Sequence, residues 1–181
     1  MRNALKFLLA LAVALLLMMA FRGLVTVVYT VEGEGLAPTF VTGDRVMVNR
    51  WSYGLRTGRS GGLFDYGRVC RQAVKKGDII AYEDPRDSTY QTVLFGWCRA
   101  LPGDTIVYGD ETLIVPSLQD CADADYYWIN ALGEGNPVDS RYLGFINEQR
   151  IIGRVFVVLC NHDADKPFWT GWRNDRLLLF K

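Results

Sequence analysis

The chain has 181 residues, of which 20 are basic, 20 are acidic and half are hydrophobic, and it contains 18 glycines. A chain of this length forms one domain with a sizeable core. The balanced charge offers no basic surface for nucleic acid, so we expect no nucleic-acid partner. The composition is typical of a turn-rich β domain combined with a membrane segment.

The N-terminus has the pattern of a membrane anchor. Arg2 and Lys6 precede an apolar run in which no residue from 7 to 21 is charged or polar. With Leu5 counted and Lys6 extended to the interface, the run has about 17 residues, the lower limit for a helix that spans a membrane. We therefore expect one N-terminal transmembrane helix and the membrane as a partner.

The orientation of this anchor follows from its charged flank. A cleaved signal peptide is the alternative, but Met18 is too large for a cleavage site that ends at Ala20. Basic residues before the run keep the N-terminus in the cytoplasm. We predict an uncleaved anchor at residues 1–23 and an exported domain at residues 24–181, at a bacterial inner membrane with the domain on the extracytoplasmic side.

The exported part has the pattern of a β domain. No amphipathic helix is predicted after residue 31, and the glycine-rich stretch Thr57 to Arg68 is predicted to be an irregular loop. Many short β-rich segments bounded by Gly, Pro and Asp turns indicate an all-β, barrel-like domain. The predicted strands lie in Leu24 to Val31, DRVMVNR, GDIIAYEDP, QTVLFGWCRA, DTIVYGDETLIV as a hairpin pair, DYYWINA and IIGRVFVVLC.

The cysteines leave two interpretations open. All of them, Cys70, Cys98, Cys121 and Cys160, lie in the exported part. An oxidising compartment would permit disulfides, and buried free thiols are equally compatible with the sequence. No C-x-x-C pair occurs, so a zinc ribbon is not expected.

Four stretches in a fixed order carry a family resemblance. They are GLAPTFVTGDRVMVNRWSYGLR, KKGDIIAYEDP, CRALPGDTI and GNPVDSRYLGFINEQRIIGRV. Behind an anchor, this series resembles the type I signal peptidases, or leader peptidases. The resemblance implies a mainly β, signal-peptidase-like barrel or sandwich domain behind one transmembrane helix. It also implies a serine endopeptidase that cleaves signal peptides with a serine nucleophile and a lysine general base.

The first stretch departs from the family at the nucleophile. Pro38 and Thr39 match the family's proline and threonine, which places the nucleophilic serine at Gly35. Gly33 stands where the family can supply a hydroxyl to the oxyanion hole. Leu36 follows Gly35 and is assigned to the same cleft.

The third stretch departs from the family at the base. The family's lysine lies five residues before the leucine of its leucine-proline-glycine-aspartate turn, and counting back from Leu101 reaches Gly96. The neighbouring arginine falls on Trp97. Glycine supplies neither a nucleophile nor a base, and acyl transfer by this route needs both.

The last stretch supplies residues that support the site. Asp139 and Arg141 are spaced like a structural ion pair, and Ser140 matches the family serine that supports the base. Cys98 lies two residues from Gly96 on the same strand face, where it is either a buried structural thiol or a thiol that lines the cleft.

Other chemistry-bearing residues do not predict a second kind of site. His162, the only histidine, lies in a polar turn and is not expected to be a base. The acidic group Asp120, Asp123 and Asp125 has the pattern of a solvated loop rather than a metal site. No dinucleotide motif is present, so we expect no cofactor and no metal.

The turn and the aromatic residues of the C-terminal half complete the prediction. Gly103 and Asp104 are expected to form a tight turn. The aromatic residues near the end are expected either in the core or on a surface that rests on the bilayer. They are Phe168, Trp169, Trp172 and Phe180.

Three functions remain open from the sequence. The first is a catalytically silent signal peptidase-like protein that binds peptides or partners, such as signal peptides, an active signal peptidase or the export machinery. The second is an active peptidase with a relocated dyad, and the third is a structural subunit of an envelope complex. The double change Gly35→Ser and Gly96→Lys is expected to return weak activity at most.

Overall fold

The computed structural model describes most of the chain. The described residues are 2–58, 65–87, 89, 92–120, 122–133, 138–162, 166, 169–173 and 176–180, without the side chains of residues 2–5, 20–22 and 24. Helix α1 is Arg2–Val25 and helix α2 is Ser140–Leu143, and short 3-10 helices occupy Leu118–Asp120 and Glu148–Arg150. The strands are β1 Thr26–Thr30, β2 Asp44–Asn49, β3 Leu55–Arg56, β4 Arg68–Val69, β5 Ile79–Glu83, β6 Val93–Ala100, β7 Thr105–Tyr108, β8 Glu111–Ile114, β9 Tyr126–Ala131, β10 Ile146–Asn147, β11 Ile151–His162, β12 Trp172–Arg173 and β13 Leu178–Leu179.

Helix α1 is formed by the apolar N-terminal run. Its large apolar side chains from Phe7 to Met19 are exposed. Where side chains are described, no helix is both long enough and apolar enough to cross a membrane. The helix continues to Val25, so the first strand begins at Thr26 rather than at Leu24 as the sequence predicted. The boundary falls where the helix-compatible apolar run gives way to the β-branched residues that follow.

One antiparallel sheet organises the domain. Its strands follow the order β1, β2, β11, β5, β6, β9 and β10, and β12 and β13 also pair with β11. The pairs β3–β4 and β7–β8 form two small sheets among the described residues. The predicted mainly β domain is confirmed, as are the predicted strands and the hairpin at Gly109, whose φ of 62° suits a glycine.

Two hydrophobic cores cover opposite faces of the central strands. All five residues of β5 are buried because alternate side chains enter different cores. The first core contains Val31, Phe40, Val46, Val48, Ile79, Ala81, Phe95, Leu132, Ile152, Val155 and Val158. The second core contains Tyr53, Val74, Ile80, Tyr82, Cys98, Tyr127, Ile129, Ile146 and Ile151.

Two predictions about local structure are corrected. A short helix, α2, does occur after residue 31, because Asp139 caps it by accepting a hydrogen bond from the Arg141 amide. The predicted loop from Thr57 to Arg68 is closed at its ends, since β3 pairs with β4, while residues 59–64 lie outside the described residues. A single capped turn carries too little periodicity to be predicted from the sequence.

The predicted turn at the end of β6 is confirmed. Gly103 has a φ of 83°, and the Leu101 amide donates a hydrogen bond of 2.6 Å to Asp104. This hydrogen bond, with Lys76 nearby, holds the pKa of Asp104 below its usual value.

The C-terminal aromatic residues divide between core and surface. Phe180 packs on the first core and meets the Phe40 ring at 5.6 Å, whereas Trp169 is 81% exposed. Trp172 is half-buried and stacks edge-on against His162 at 4.8 Å. Phe168 lies outside the described residues. The core interpretation therefore holds for Phe180 and is wrong for Trp169.

Three of the cysteines are free thiols. Cys70 is exposed, Cys160 is half-buried and Cys98 is buried. Cys121 lies outside the described residues.

Candidate functional site

A cavity of about 530 Å³ opens between the end of β1 and the start of β6. Its lining combines apolar side chains with hydroxyl groups and one carboxylate. The residues that line it are Tyr29, Thr30, Val31, Glu32, Gly35, Leu36, Thr92, Val93, Leu94 and Phe95.

Gly35 reaches this cavity because its segment packs closely on the end of β9. A Cβ atom added to Gly133 would lie 2.4 Å from the Gly35 carbonyl oxygen and 2.5 Å from that of Ala37. Only glycine permits this approach of two backbones. The close contact fixes Gly35 beside the end of β9.

Hydrogen bonds hold the residues before and after Gly35. Gly33 adopts a φ of 80°, and its carbonyl accepts a hydrogen bond of 2.8 Å from the Thr42 hydroxyl. Pro38 is exposed and Thr39 is half-buried, and neither lines the cavity. The Thr39 carbonyl accepts a hydrogen bond from Arg176. Of the predicted residues in this segment, Gly35 and Leu36 form the cavity wall.

Gly96 lies on β6 but does not line the cavity. Its neighbours Phe95 and Trp97 pack on the first core, together with Leu36. The next residues on the other face, Leu94 and Cys98, pack on the second core. Because strand side chains alternate, a side chain at position 96 would point into the second core.

The space on that side of Gly96 is already filled. A Cβ atom at Gly96 would lie 2.4 Å from Cγ2 of Ile129 and 2.6 Å from the backbone oxygen of Asn130. Both partners belong to the paired strand β9, and Ile129 is fully buried. Position 96, where the sequence resemblance predicts the lysine, therefore has no room for a side chain.

Asp139 and Ser140 hold β9, and Arg141 pairs with Asp139. The Asp139 carboxylate accepts a hydrogen bond from the Ala131 amide at 3.1 Å, and the Ser140 hydroxyl accepts one from the Ile129 amide at 2.8 Å. Arg141 pairs with Asp139 at 2.8 Å, which confirms the predicted ion pair. These contacts hold β9, whose residues Ile129 and Asn130 fill the space beside Gly96.

Cys98 is a structural thiol in the second core. Its side chain is fully buried, and it does not line the cavity. Burial, reinforced by the carboxylates of Asp78 and Asp104, raises the pKa of the Cys98 thiol to about 12. A thiol in this state is a poor nucleophile at neutral pH.

The carboxylates of Asp120, Asp123 and Asp125, at and after the 3-10 helix Leu118–Asp120, bind other side chains of the protein. Asp120 accepts a hydrogen bond from Ser117, and Asp123 accepts one from Tyr126. Asp125 pairs with Arg71 at 2.6 Å. These carboxylates shape the loop, as the sequence predicted.

The sequence missed part of the cavity wall. Tyr29, Val31 and Thr92 line the cavity. The first two lie in a segment whose sequence predicts only a strand, and Thr92 precedes a strand that has no functional motif. Alternation along β1 predicts that residues 29 and 31 share a face, but it does not reveal which distant strand they meet.

Comparison with known proteins identifies the family. Residues 4–121 match the family model described as "Signal peptidase, peptidase S26". The chain belongs to this family. Signal peptidase IB of Staphylococcus aureus is 23% identical over 188 residues, which cover 85% of this chain and 88% of that protein. Signal peptidase I V of Bacillus subtilis is 28% identical over 107 residues, covering 59% of this chain and 52% of that protein.

Membership of the signal peptidase family confirms the resemblance drawn from the four stretches. The matched region contains Gly35 and Gly96, the two positions to which the sequence resemblance assigns the family's serine and lysine. It ends before Asp139, Ser140 and Arg141, whose contacts with β9 are described above.

Proposed function

We propose that this chain is a non-hydrolysing member of the signal peptidase family that binds an extended peptide in the cavity between β1 and β6. The observation that carries the proposal is that Gly35 forms the cavity wall without a nucleophilic side chain. A peptidase of this type requires an activated oxygen or sulfur at that point.

The lining also lacks the family's lysine base. Among the described residues that line the cavity there are hydroxyls on Tyr29, Thr30 and Thr92 and a carboxylate on Glu32, but no lysine or histidine. The pairing of a serine nucleophile with a lysine base therefore has no counterpart in this lining. Shifting the alignment by one residue does not supply a lysine, because the neighbours of Gly96 in the chain are Phe95 and Trp97.

Peptide binding does not depend on the missing dyad. Strand β1 lies at one end of the strand order and leads directly into the cavity wall. An extended peptide can pair with the edge of a sheet through its main chain, while pockets select its side chains. Val31, Leu36 and Phe95 provide apolar walls for small side chains.

Peptide binding is tested by narrowing the mouth of the cavity. Thr92 is exposed at the mouth, and Thr92→Trp would fill it. Thr112→Trp, on the exposed face of β8, is the matched control. In a titration of the detergent-solubilised full chain with a fluorescent synthetic signal peptide, Thr92→Trp should abolish binding and Thr112→Trp should preserve it. Equal binding by both variants would contradict the proposed site.

We also propose that α1 anchors the chain in a bacterial inner membrane, with the β domain on the extracytoplasmic side. Support comes from the exposed apolar side chains between Phe7 and Met19 and from the basic residues Arg2 and Lys6. The chain should remain with membranes after carbonate extraction, and protease added outside should digest the β domain. Recovery of a soluble mature protein that begins near Phe21 would refute the anchor. The partners that such a location makes available include signal peptides and the export machinery.

A further inference from the structure

A second cavity, of about 590 Å³, lies where α1 joins the β domain. Val25, the last residue of α1, forms part of its wall, and so does Trp51. Its position at the end of the helix distinguishes it from the peptide cavity, with which it shares no residue. The residues that line it are Val25, Asn49, Trp51, Ser52, Gln72, Ala73, Lys75, Asp78 and Arg154.

The charges of this second cavity sum to one positive charge. Lys75 and Arg154 contribute two cations, and Asp78 contributes one anion. Asp78 is already engaged by the protein, because it accepts a hydrogen bond of 2.8 Å from the Tyr53 hydroxyl. The cavity therefore presents cationic and neutral hydrogen-bonding groups to a ligand.

The two cations are incompletely used within the described part of the chain. Arg154 approaches Asp78 only to 3.5 Å, and its buried Nε makes no hydrogen bond there. Lys75 has no ion-pair partner among the described residues, unlike its neighbour Lys76, which pairs with Asp104 at 2.9 Å. Arg154 thus keeps one ion pair, and Lys75 is the cation that the described residues leave unpaired. Unpaired cations of this kind bind phosphate oxygens.

We propose that the second cavity binds the phosphodiester of an anionic phospholipid headgroup, an inference that rests on the proposed anchoring by α1. With α1 in the bilayer, a cavity bordered by Val25 lies at headgroup level. Trp51 is partly exposed there, and tryptophan favours this zone. The cavity volume is within the range of small-molecule sites, and its net positive charge selects an anionic headgroup over a zwitterionic one.

The test is a calorimetric titration of the detergent-solubilised full chain with soluble short-chain lipids. Dihexanoyl phosphatidylglycerol should bind, and dihexanoyl phosphatidylcholine should bind at least about tenfold more weakly. Lys75→Gln and Arg154→Gln should each weaken phosphatidylglycerol binding about tenfold, as expected for the loss of one charge-assisted hydrogen bond. Lys76→Gln, which removes a cation outside the cavity, should leave binding unchanged.

Three results would overturn the proposal. The first is equal binding of the two lipids, and the second is unchanged phosphatidylglycerol binding by Lys75→Gln. The third is binding of inorganic phosphate as tight as that of phosphatidylglycerol, which would make free phosphate the ligand. If Arg154→Gln fails to fold, Lys75→Gln decides, since Lys75 is exposed. Carbonate extraction tests the anchor independently, because it depends on α1 and not on Lys75.

Discussion

Gly96 and Ile129 lie so close across β6 and β9 that an added Cβ atom would come within 2.4 Å of Cγ2 of Ile129. Ile129 is fully buried, and its amide is held by the Ser140 hydroxyl at 2.8 Å. The isoleucine therefore cannot move aside at low cost. The space that a side chain at position 96 would need is thus occupied by the core of this protein.

Gly96→Ala is expected to destabilise the protein. Forcing one extra carbon against Ile129 and the Asn130 backbone should lower the free energy of unfolding by about 1–3 kcal/mol, the usual cost of overpacking. Urea unfolding of the solubilised chain measures the change. Gly67→Ala is the matched control, since its added carbon would meet only the Thr57 hydroxyl at 3.0 Å. Equal stability of the Gly96→Ala variant and the wild type would show that this region adapts freely.

The double variant Gly35→Ser and Gly96→Lys is expected to remain inactive. The sequence allowed weak activity at most, and the alternation of β6 now gives a physical reason for none. A lysine at position 96 would point into the second core, whereas position 35 borders the cavity beside Phe95. Mass spectrometry of a signal peptide incubated with the variant checks this. Cleavage by the double variant would show that the two positions can face each other.

Much of this fold could be predicted from the sequence, because strand boundaries depend on residues that are close together in the chain. Strands such as Asp44–Asn49 combine β-branched residues with turn glycines, so their boundaries are visible in the pattern. The crowding at Gly96 could not be predicted from the sequence, because it depends on how β6 pairs with β9. The packing of Gly133 on Gly35 is likewise a contact between segments distant in sequence. Ungapped spacing predicts positions for the dyad, and this prediction carries no information on the direction in which each position faces.

Cys98 is expected to resist alkylation in the folded protein. Burial raises the pKa of its thiol to about 12, so almost no thiolate is present at pH 8. Cys70 is exposed and should be modified first. Peptide mapping after brief treatment with iodoacetamide, with and without urea, measures both sites. Modification of Cys98 as fast as Cys70 without urea would mean that the thiol is accessible and would reopen a role for it in the site.

Ser140→Ala is expected to weaken the fold rather than remove an activity. The change leaves the buried Ile129 amide without its hydrogen-bond acceptor, which costs about 1–3 kcal/mol. Thermal unfolding of the variant should show a lower midpoint, whereas Thr112→Ala on the exposed hairpin should not. An unchanged midpoint for Ser140→Ala would argue against the role of this hydroxyl in holding β9.

The most direct measurement is incubation of the unmodified full chain with a synthetic signal peptide that ends in an A-x-A cleavage site. Because Gly35 and Gly96 provide neither nucleophile nor base, mass spectrometry should find the peptide intact after prolonged incubation, while fluorescence titration detects its binding. Cleavage after the small residue would contradict the proposal of a silent enzyme. If Cys98→Ala then abolished that cleavage, or if Ser140→Ala did so at a temperature at which that variant is still folded, the chemistry would have moved to another residue of the same fold.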